Sequence, residues 1–285
     1  MKVLVLGVTG MLGQAVFRVF SSDTGHDTWG TLRSPSALRY FAETYHSHLI
    51  TGVDVLDQDA LATVLAKVRP DVVINCVGLI KQLADANDPL TALPINAMLP
   101  HRLARLCALA HARLIHVSTD CVFSGNKGGY LESDISDAED LYGKSKYIGE
   151  LHDEPHAITL RTSIIGHELG SSNALVDWFL SQQGCVKGFS KAIFSGLPTV
   201  ELARVMKDYV LPHPQLRGLY HVAAAPVNKL DLLRMVANEY GHEIEIQPDD
   251  ALVIDRSLNG ERFREATGYI AASWPELIKS MHANR

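Results

Sequence analysis

The chain opens Met1-Lys2-Val3-Leu4-Val5-Leu6-Gly7-Val8-Thr9-Gly10-Met11-Leu12-Gly13, and the reading of these residues decides the fold. Residues 3–6 form a short, unbroken apolar run, the pattern of a strand buried on both faces of a parallel sheet. Glycines follow at every third position. Beyond them Leu12, Ala15, Val16, Val19 and Phe20 keep the spacing of an amphipathic helix. A strand, a glycine turn and a helix in this order bring the positive end of the helix dipole, and its unpaired N–H groups, to the turn. An anionic group such as a pyrophosphate can sit there against bare backbone. Gly7 permits the tight turn, Gly10 the close approach and Gly13 the packing of helix on strand, with Thr9, Met11 and Leu12 completing the loop.

Working outward, the same alternation continues. Strands are expected at residues 28–32, 48–52, 72–75, 114–117 and 157–160. Leu61, Val64, Leu65 and Val68 mark a helix before the strand at 72–75, and Leu103, Leu106, Cys107 and Ala110 mark another before that at 114–117. The expected fold is therefore α/β, a Rossmann-type doubly wound parallel sheet. The rhythm changes after Gly166, where residues 184–198 are glycine-rich and mixed in polarity and a helix starts at the N-cap Asn228. Residues 1–165 are read as a dinucleotide-binding domain and 166–285 as a smaller mixed lobe that binds substrate over the carboxyl ends of the strands, with a soft boundary across which strands can interleave.

Each strand end offers a candidate contact. Arg33, after the second strand, stands where an arginine pairs with a 2′-phosphate, which favours NADPH, with NADH as the alternative. Asp54 and Val55 follow the third strand, placed to meet an adenine. Cys76, Val77 and Gly78 follow the fourth, placed along the ribose and nicotinamide. Thr119 closes the fifth with a hydroxyl. In Tyr142-Gly143-Lys144-Ser145-Lys146 the phenol and the ammonium lie four residues apart, on one helical face. A cation beside a phenol favours the phenolate and lowers a pKa that is otherwise about 10. The tyrosine then serves as an acid or base near neutrality.

The bulk composition narrows the classes. With 285 residues and 47% hydrophobic content a sizeable core can form, and a net charge of −6 gives no basic field for nucleic acid or an anionic membrane. The four cysteines lie far apart and the thirteen histidines form no metal-ligand motif, so no catalytic metal is expected. No apolar run reaches the length of a signal peptide core or a membrane span, and a cytoplasmic location is expected.

These motifs, together with Ser118-Thr119-Asp120-Cys121-Val122-Phe123-Ser124-Gly125 and Leu160-Arg161-Thr162-Ser163, make the chain similar to the extended short-chain dehydrogenase/reductases. Within them it most resembles the dTDP-4-dehydrorhamnose reductases and related sugar-nucleotide reductases. The resemblance implies that Thr119 orients the substrate carbonyl, that Tyr142 donates its proton, and that Lys146 lowers the tyrosine pKa and hydrogen-bonds the nicotinamide ribose. It implies a nucleotide-activated 4-keto-6-deoxyhexose as substrate, touched by Thr119, Asp120 and Ile164, in surface polysaccharide synthesis, and a homodimer. Ile164 departs from the aromatic residue that relatives often carry after Arg-Thr-Ser.

Other readings share the scaffold. Dehydratases usually show Thr-Asp-Glu where this chain has Thr119-Asp120-Cys121. An epimerase/reductase of the GDP-fucose synthase kind would use Cys121, as a thiolate near a cation, together with His167. A non-catalytic NADP-binding regulatory subunit would keep the glycine turn without turnover, and the intact Thr119, Tyr142 and Lys146 weigh against it.

Overall fold

The computed structural model describes residues 1–79 and 87–285. The chain runs β1 (Lys2–Leu6), α1 (Met11–Ser21), β2 (Asp27–Leu32), β3 (Leu49–Thr51), α2 (Gln58–Val68), β4 (Val72–Asn75), α3 (Pro89–Ala92), a π-helical turn (Leu93–Met98), α4 (Leu99–Leu109), β5 (Arg113–Thr119), α5 (Leu141–Ile148) and β6 (Ala157–Thr162). It continues through β7 (Ile164–Ile165), α6 (Leu175–Ser181), β8 (Cys185–Phe189), β9 (Ala192–Phe194), β10 (Leu197–Pro198), α7 (Thr199–Val205) and β11 (Gly218–His221). The last elements are β12 (Val227–Asn228), α8 (Lys229–Tyr240), β13 (Glu245–Asp249), β14 (Ile254–Asp255), α9 (Glu261–Thr267) and α10 (Trp274–Ala283). Every strand expected in the first 165 residues is present, and the fold is the α/β doubly wound one.

The main sheet has seven strands in the order β11-β6-β5-β4-β1-β2-β3. β1 pairs in parallel with β2, Leu6 opposite Thr31, and with β4, Leu6 opposite Asn75. The strand order reverses at this junction, which puts the turns after β1 and β4 side by side. Leu4, Leu6, Leu61, Val64, Val73 and Leu114 belong to one buried cluster beneath them. The helical faces differ slightly from the expected ones: Phe17 rather than Val19 is fully buried in α1, and Ala104 rather than Ala110 in α4. The seventh strand, β11, lies in the stretch after Gly166 that the sequence reading gave to the smaller lobe.

Two compact units emerge, and their segments interleave across residues 165/166, where the sequence reading put a soft boundary. One unit is Met1–Ser118, Asp140–Leu160 and Pro214–Leu219; the other is Thr119–Glu139, Arg161–His213 and Tyr220–Arg285. The late return to the first unit has a physical reason. Without β11, β6 would be an edge strand with the backbone donors and acceptors on its outer side unpaired.

In the second unit β8 pairs in parallel with β13, and β9 lies between β12 and β14. Asn228 caps α8 by accepting from Asp231 N at 2.8 Å, and Ser273 with Glu276 closes a capping box on α10. Phe123 and Tyr130 stack at 4.0 Å between centroids, and the fully buried Arg161 guanidinium lies 4.9 Å from the Phe123 centroid. Among the described residues no helix is long and apolar enough to cross a membrane, and no cluster of His, Cys, Asp and Glu is set to hold a metal.

Candidate active site

Gly7 leaves β1 with φ +80, a backbone conformation that favours glycine, and its N–H donates to Thr31 Oγ1 at 3.3 Å. A Cβ on Gly7 would lie 2.8 Å from Val77 Cγ2, and one on Gly13 would lie 2.1 Å from Gly7 O. The two turns at the sheet's switch point thus touch, and α1 packs onto the first with no room for a side chain. α1 has no side-chain cap at Gly10 and no acidic residue in its first turn. Its first N–H groups therefore form a cradle suited to an anion. Thr9 and Gly10 are exposed, Met11 is half-buried, and Leu12 turns its side chain into the core.

Arg33 is exposed at the end of β2, where a phosphate could reach it. The Asp54 carboxylate is occupied locally, accepting from Leu56 N at 2.9 Å, while Val55 packs on the core. After β4, Asn75 Oδ1 accepts from Val77 N at 3.1 Å and so holds the second turn. Cys76 is half-buried, and its burial pushes the thiol up to about 12. Gly78 is exposed, and a Cβ there would stand 3.9 Å from Lys146 Nζ. The residues expected to hold a dinucleotide thus reach the residue expected to act on it.

α5 starts at Asp140, whose carboxylate accepts from Gly143 N at 2.7 Å. Tyr142 is half-buried and Lys146, one turn on, is buried. Lys146 Nζ donates to Val117 O in β5 at 2.8 Å. Burial lowers its pKa to about 8 while the charge of Glu150 pulls the other way. Glu150 is itself buried and accepts from Ser118 Oγ at 2.7 Å. Sequence reasoning missed Glu150, although it continues the spacing of Tyr142 and Lys146 by one more turn.

It missed Asn96 as well. From the π-helical turn, Asn96 Oδ1 accepts from Leu79 N at 2.9 Å, and Nδ2 donates to Leu79 O at 3.2 Å and Ser145 Oγ at 3.3 Å. This one amide ties the turn after β4 to α5. A polar residue inside the apolar stretch Leu93-Pro94-Ile95-Asn96-Ala97 was the available signal.

In the second unit Thr119 Oγ1 donates to Asp120 Oδ1 and accepts from Cys121 N, both at 3.2 Å. Arg256 Nη1 lies 3.7 Å from Cys121 Sγ, the cation that a reactive thiolate would need. Burial and the Asp120 charge outweigh it and push the Cys121 thiol up to about 12. His167 has both ring nitrogens engaged, Nδ1 with Asp177 Oδ1 at 2.6 Å and Nε2 with Tyr240 OH at 2.8 Å. The Cys121 thiol is thus neutral, and the His167 ring is held between Asp177 and Tyr240. Ile164 is half-buried in β7, opposite Leu197 of β10.

The chain matches the family model described as the RmlD substrate binding domain over residues 1–259. Methionine adenosyltransferase 2 subunit beta of Mus musculus is 30% identical, over 97% of this chain and 88% of that protein. The counterpart from Xenopus tropicalis is 27% identical over 77% of this chain, and the match spans only 66% of its length. The probable low-salt glycan biosynthesis reductase Agl14 of Haloferax volcanii is 26% identical over 93% of this chain and 87% of its own. Among solved structures, dTDP-4-dehydrorhamnose reductase of Bacillus anthracis, in complex with NADP, superposes with a TM-score of 0.80 at 21% identity, covering 99% of each chain. At that identity the likeness speaks to the fold.

Proposed function

This chain belongs to the RmlD substrate binding domain family, and from that premise we propose that it is an NADPH-dependent reductase of the 4-keto group of a nucleotide-activated 6-deoxyhexose, serving surface polysaccharide synthesis in the cytoplasm. The observation that carries the reading is Lys146: a buried ammonium one helical turn from Tyr142, pinned to Val117 O at 2.8 Å and poised to titrate at about 8. The nearness of Lys146 to Gly78 supports an acid/base pair beside the turn that would take the nicotinamide ribose.

The cradle fits a dinucleotide, with Gly7, Thr9, Gly10, Met11, Leu12 and Gly13 at the pyrophosphate and Arg33 at the 2′-phosphate. Val55 and Asp54 would meet the adenine, and Cys76, Val77, Gly78, Tyr142 and Lys146 the nicotinamide half. The cofactor's contribution is hydride transfer to the carbonyl carbon. Negative charge then grows on the carbonyl oxygen, where the Thr119 and Tyr142 hydroxyls stabilise it. Tyr142 gives up its proton to make the alcohol, and the Lys146 ammonium stabilises the phenolate that remains. Asp120 and Ile164 line the sugar.

One finding favours a second reading. The relatives named methionine adenosyltransferase 2 subunit beta carry the name of one subunit of another enzyme, which supports a regulatory subunit that binds NADP and a partner without turnover. A single set of measurements separates the two: NADPH absorbance followed against a panel of nucleotide 4-keto sugars. The reductase reading expects oxidation with at least one, falling by about 10² to 10⁴ in Tyr142→Phe while NADPH is still bound. No oxidation with any, together with a stable complex with a methionine adenosyltransferase catalytic subunit, establishes the second reading instead.

A further inference from the structure

A hydroxyl has one proton to give, and in this structure Thr119 gives it to Asp120, Oγ1 to Oδ1 at 3.2 Å. One lone pair of the same oxygen takes Cys121 N–H at 3.2 Å. With Asp120 as a carboxylate, what Thr119 turns toward a substrate is a lone pair. A lone pair opposite a carbonyl oxygen repels the charge that has to develop there.

Asp120 is no solvated surface acid. It is 7% exposed and opens the tight 3₁₀ turn Asp120–Val122. Facing it are the hydroxyls of Thr119 and Ser163, the thiol of Cys121 and the guanidinium of Arg256, which follows β14. The positive charge is not Asp120's alone: Arg256 Nε donates to Phe123 O at 2.8 Å, Nη1 leans on Cys121 Sγ, and its field also reaches Asp137. Burial therefore wins, and the Asp120 carboxyl sits above the usual range despite Arg256 and its hydrogen-bond donors.

We propose that Asp120 is a positioning residue whose protonation state aims the Thr119 hydroxyl, so that the carbonyl is reduced with Asp120 neutral and disfavoured with Asp120 ionised. The proposal rests on the reductase reading given above. In the neutral state the Asp120 O–H donates to Thr119 Oγ1, and the Thr119 O–H is released to donate to the substrate oxygen. In the ionised state the bond runs the other way. Asp120 is reprotonated by nothing and loses nothing during turnover; the proton consumed comes from Tyr142, and Asp120 acts only through the direction of one hydrogen bond.

Asp120→Asn tests this, because the amide Nδ2 donates to Thr119 Oγ1 at every pH while Oδ1 remains for its other partners. With NADPH and a 4-keto sugar nucleotide, wild-type kcat is expected to fall by up to about tenfold per pH unit as Asp120 ionises. In Asp120→Asn, whatever its absolute turnover, that fall should be absent and the limb set by Lys146 should remain. Asp120→Ala, with no donor, should be slow throughout. A second measurement does not depend on turnover: ¹³C NMR titration of the Asp120 carboxyl, assigned by its loss in Asp120→Asn, should show a midpoint above the ordinary aspartate value of about 3.9. A purely structural Asp120 would lower stability in both variants and leave the pH profile in place. If wild type and Asp120→Asn share one profile, or the carboxyl titrates at or below the ordinary value, the proposal is overturned while the reductase reading stands. If wild type oxidises NADPH with no keto sugar, the reductase reading falls and takes this proposal with it.

Discussion

Lys146 is the residue on which the chemistry turns, and its charge is contested. Burial alone pushes an ammonium toward neutrality; the nearby Glu150 carboxylate holds it back, leaving a pKa of about 8. Glu150 is kept in place by the Ser118 hydroxyl at 2.7 Å. Removing the carboxylate charge takes away the one effect that raises the lysine pKa, so the ammonium is lost at lower pH. In Glu150→Gln the alkaline limb of kcat against pH is therefore expected to move to lower pH, with the acid side little changed. Turnover measured with NADPH from pH 6 to pH 10 checks this; an unmoved limb would mean that Lys146 is not the group titrating there. Tyr142 and Lys146 were legible as a pair because a helix repeats every few residues. Their states were not, since a sequence does not show how much water reaches a side chain.

At the scale of elements, the position of α5 depends on contact with the π-helical turn. A Cβ on Gly149 would lie 2.1 Å from Asn96 O, so the end of α5 and this turn pack backbone to backbone. The same Asn96 spends its side chain on Leu79 and on Ser145 in α5. Gly149→Ala must push the two elements apart, at a cost of about 1–3 kcal/mol. Urea denaturation should show that loss, and NADPH affinity should fall with it because the turn carrying Gly78 moves with Asn96. A variant as stable as wild type would mean that the contact relaxes freely. Gly13 against Gly7 O is the same device at α1, and it could be read in the sequence because the glycines repeat locally. The Gly149–Asn96 contact joins residues far apart in the chain and leaves no periodic mark.

At the scale of the whole molecule, acid sensitivity is built into buried neutral histidines. His221 Nε2 faces Arg161 Nη1 at 2.9 Å and Nδ1 faces Tyr130 O at 3.0 Å, a pattern that suits the neutral ring with Nδ1 protonated. Burial and the Arg161 charge lower its pKa to about 3, and burial, Lys146 and His101 hold His116 well below the usual value. The unfolded chain protonates both near 6.5 while the fold does not, so the unfolded state binds more protons below that pH. Stability is complete above about pH 6.5 and declines as pH falls toward 3, by up to about 1.4 kcal/mol per pH unit for each histidine. Unfolding free energies measured by denaturant from pH 7 to pH 4 should show this slope, and His221→Gln should reduce it by one histidine's share even if the variant is less stable overall. A slope unchanged in the variant would assign the acid sensitivity elsewhere.

The sequence by itself determined the α/β class, the first six strands of the sheet, the glycine turn from Gly7 to Gly13 ahead of α1 and the placing of Tyr142 and Lys146 one turn apart on α5. Each of these is written in neighbouring residues, as a period, a turn residue or a helical spacing. Tertiary structure alone decided that β11 completes the sheet, that Asn96 joins the turn after β4 to α5, that Glu150 faces Lys146, and that Cys121 remains a thiol beside Arg256. Those outcomes depend on which distant residues meet and on how far water is excluded where they do, and burial and Coulomb energy are properties of that assembled environment rather than of the order of residues.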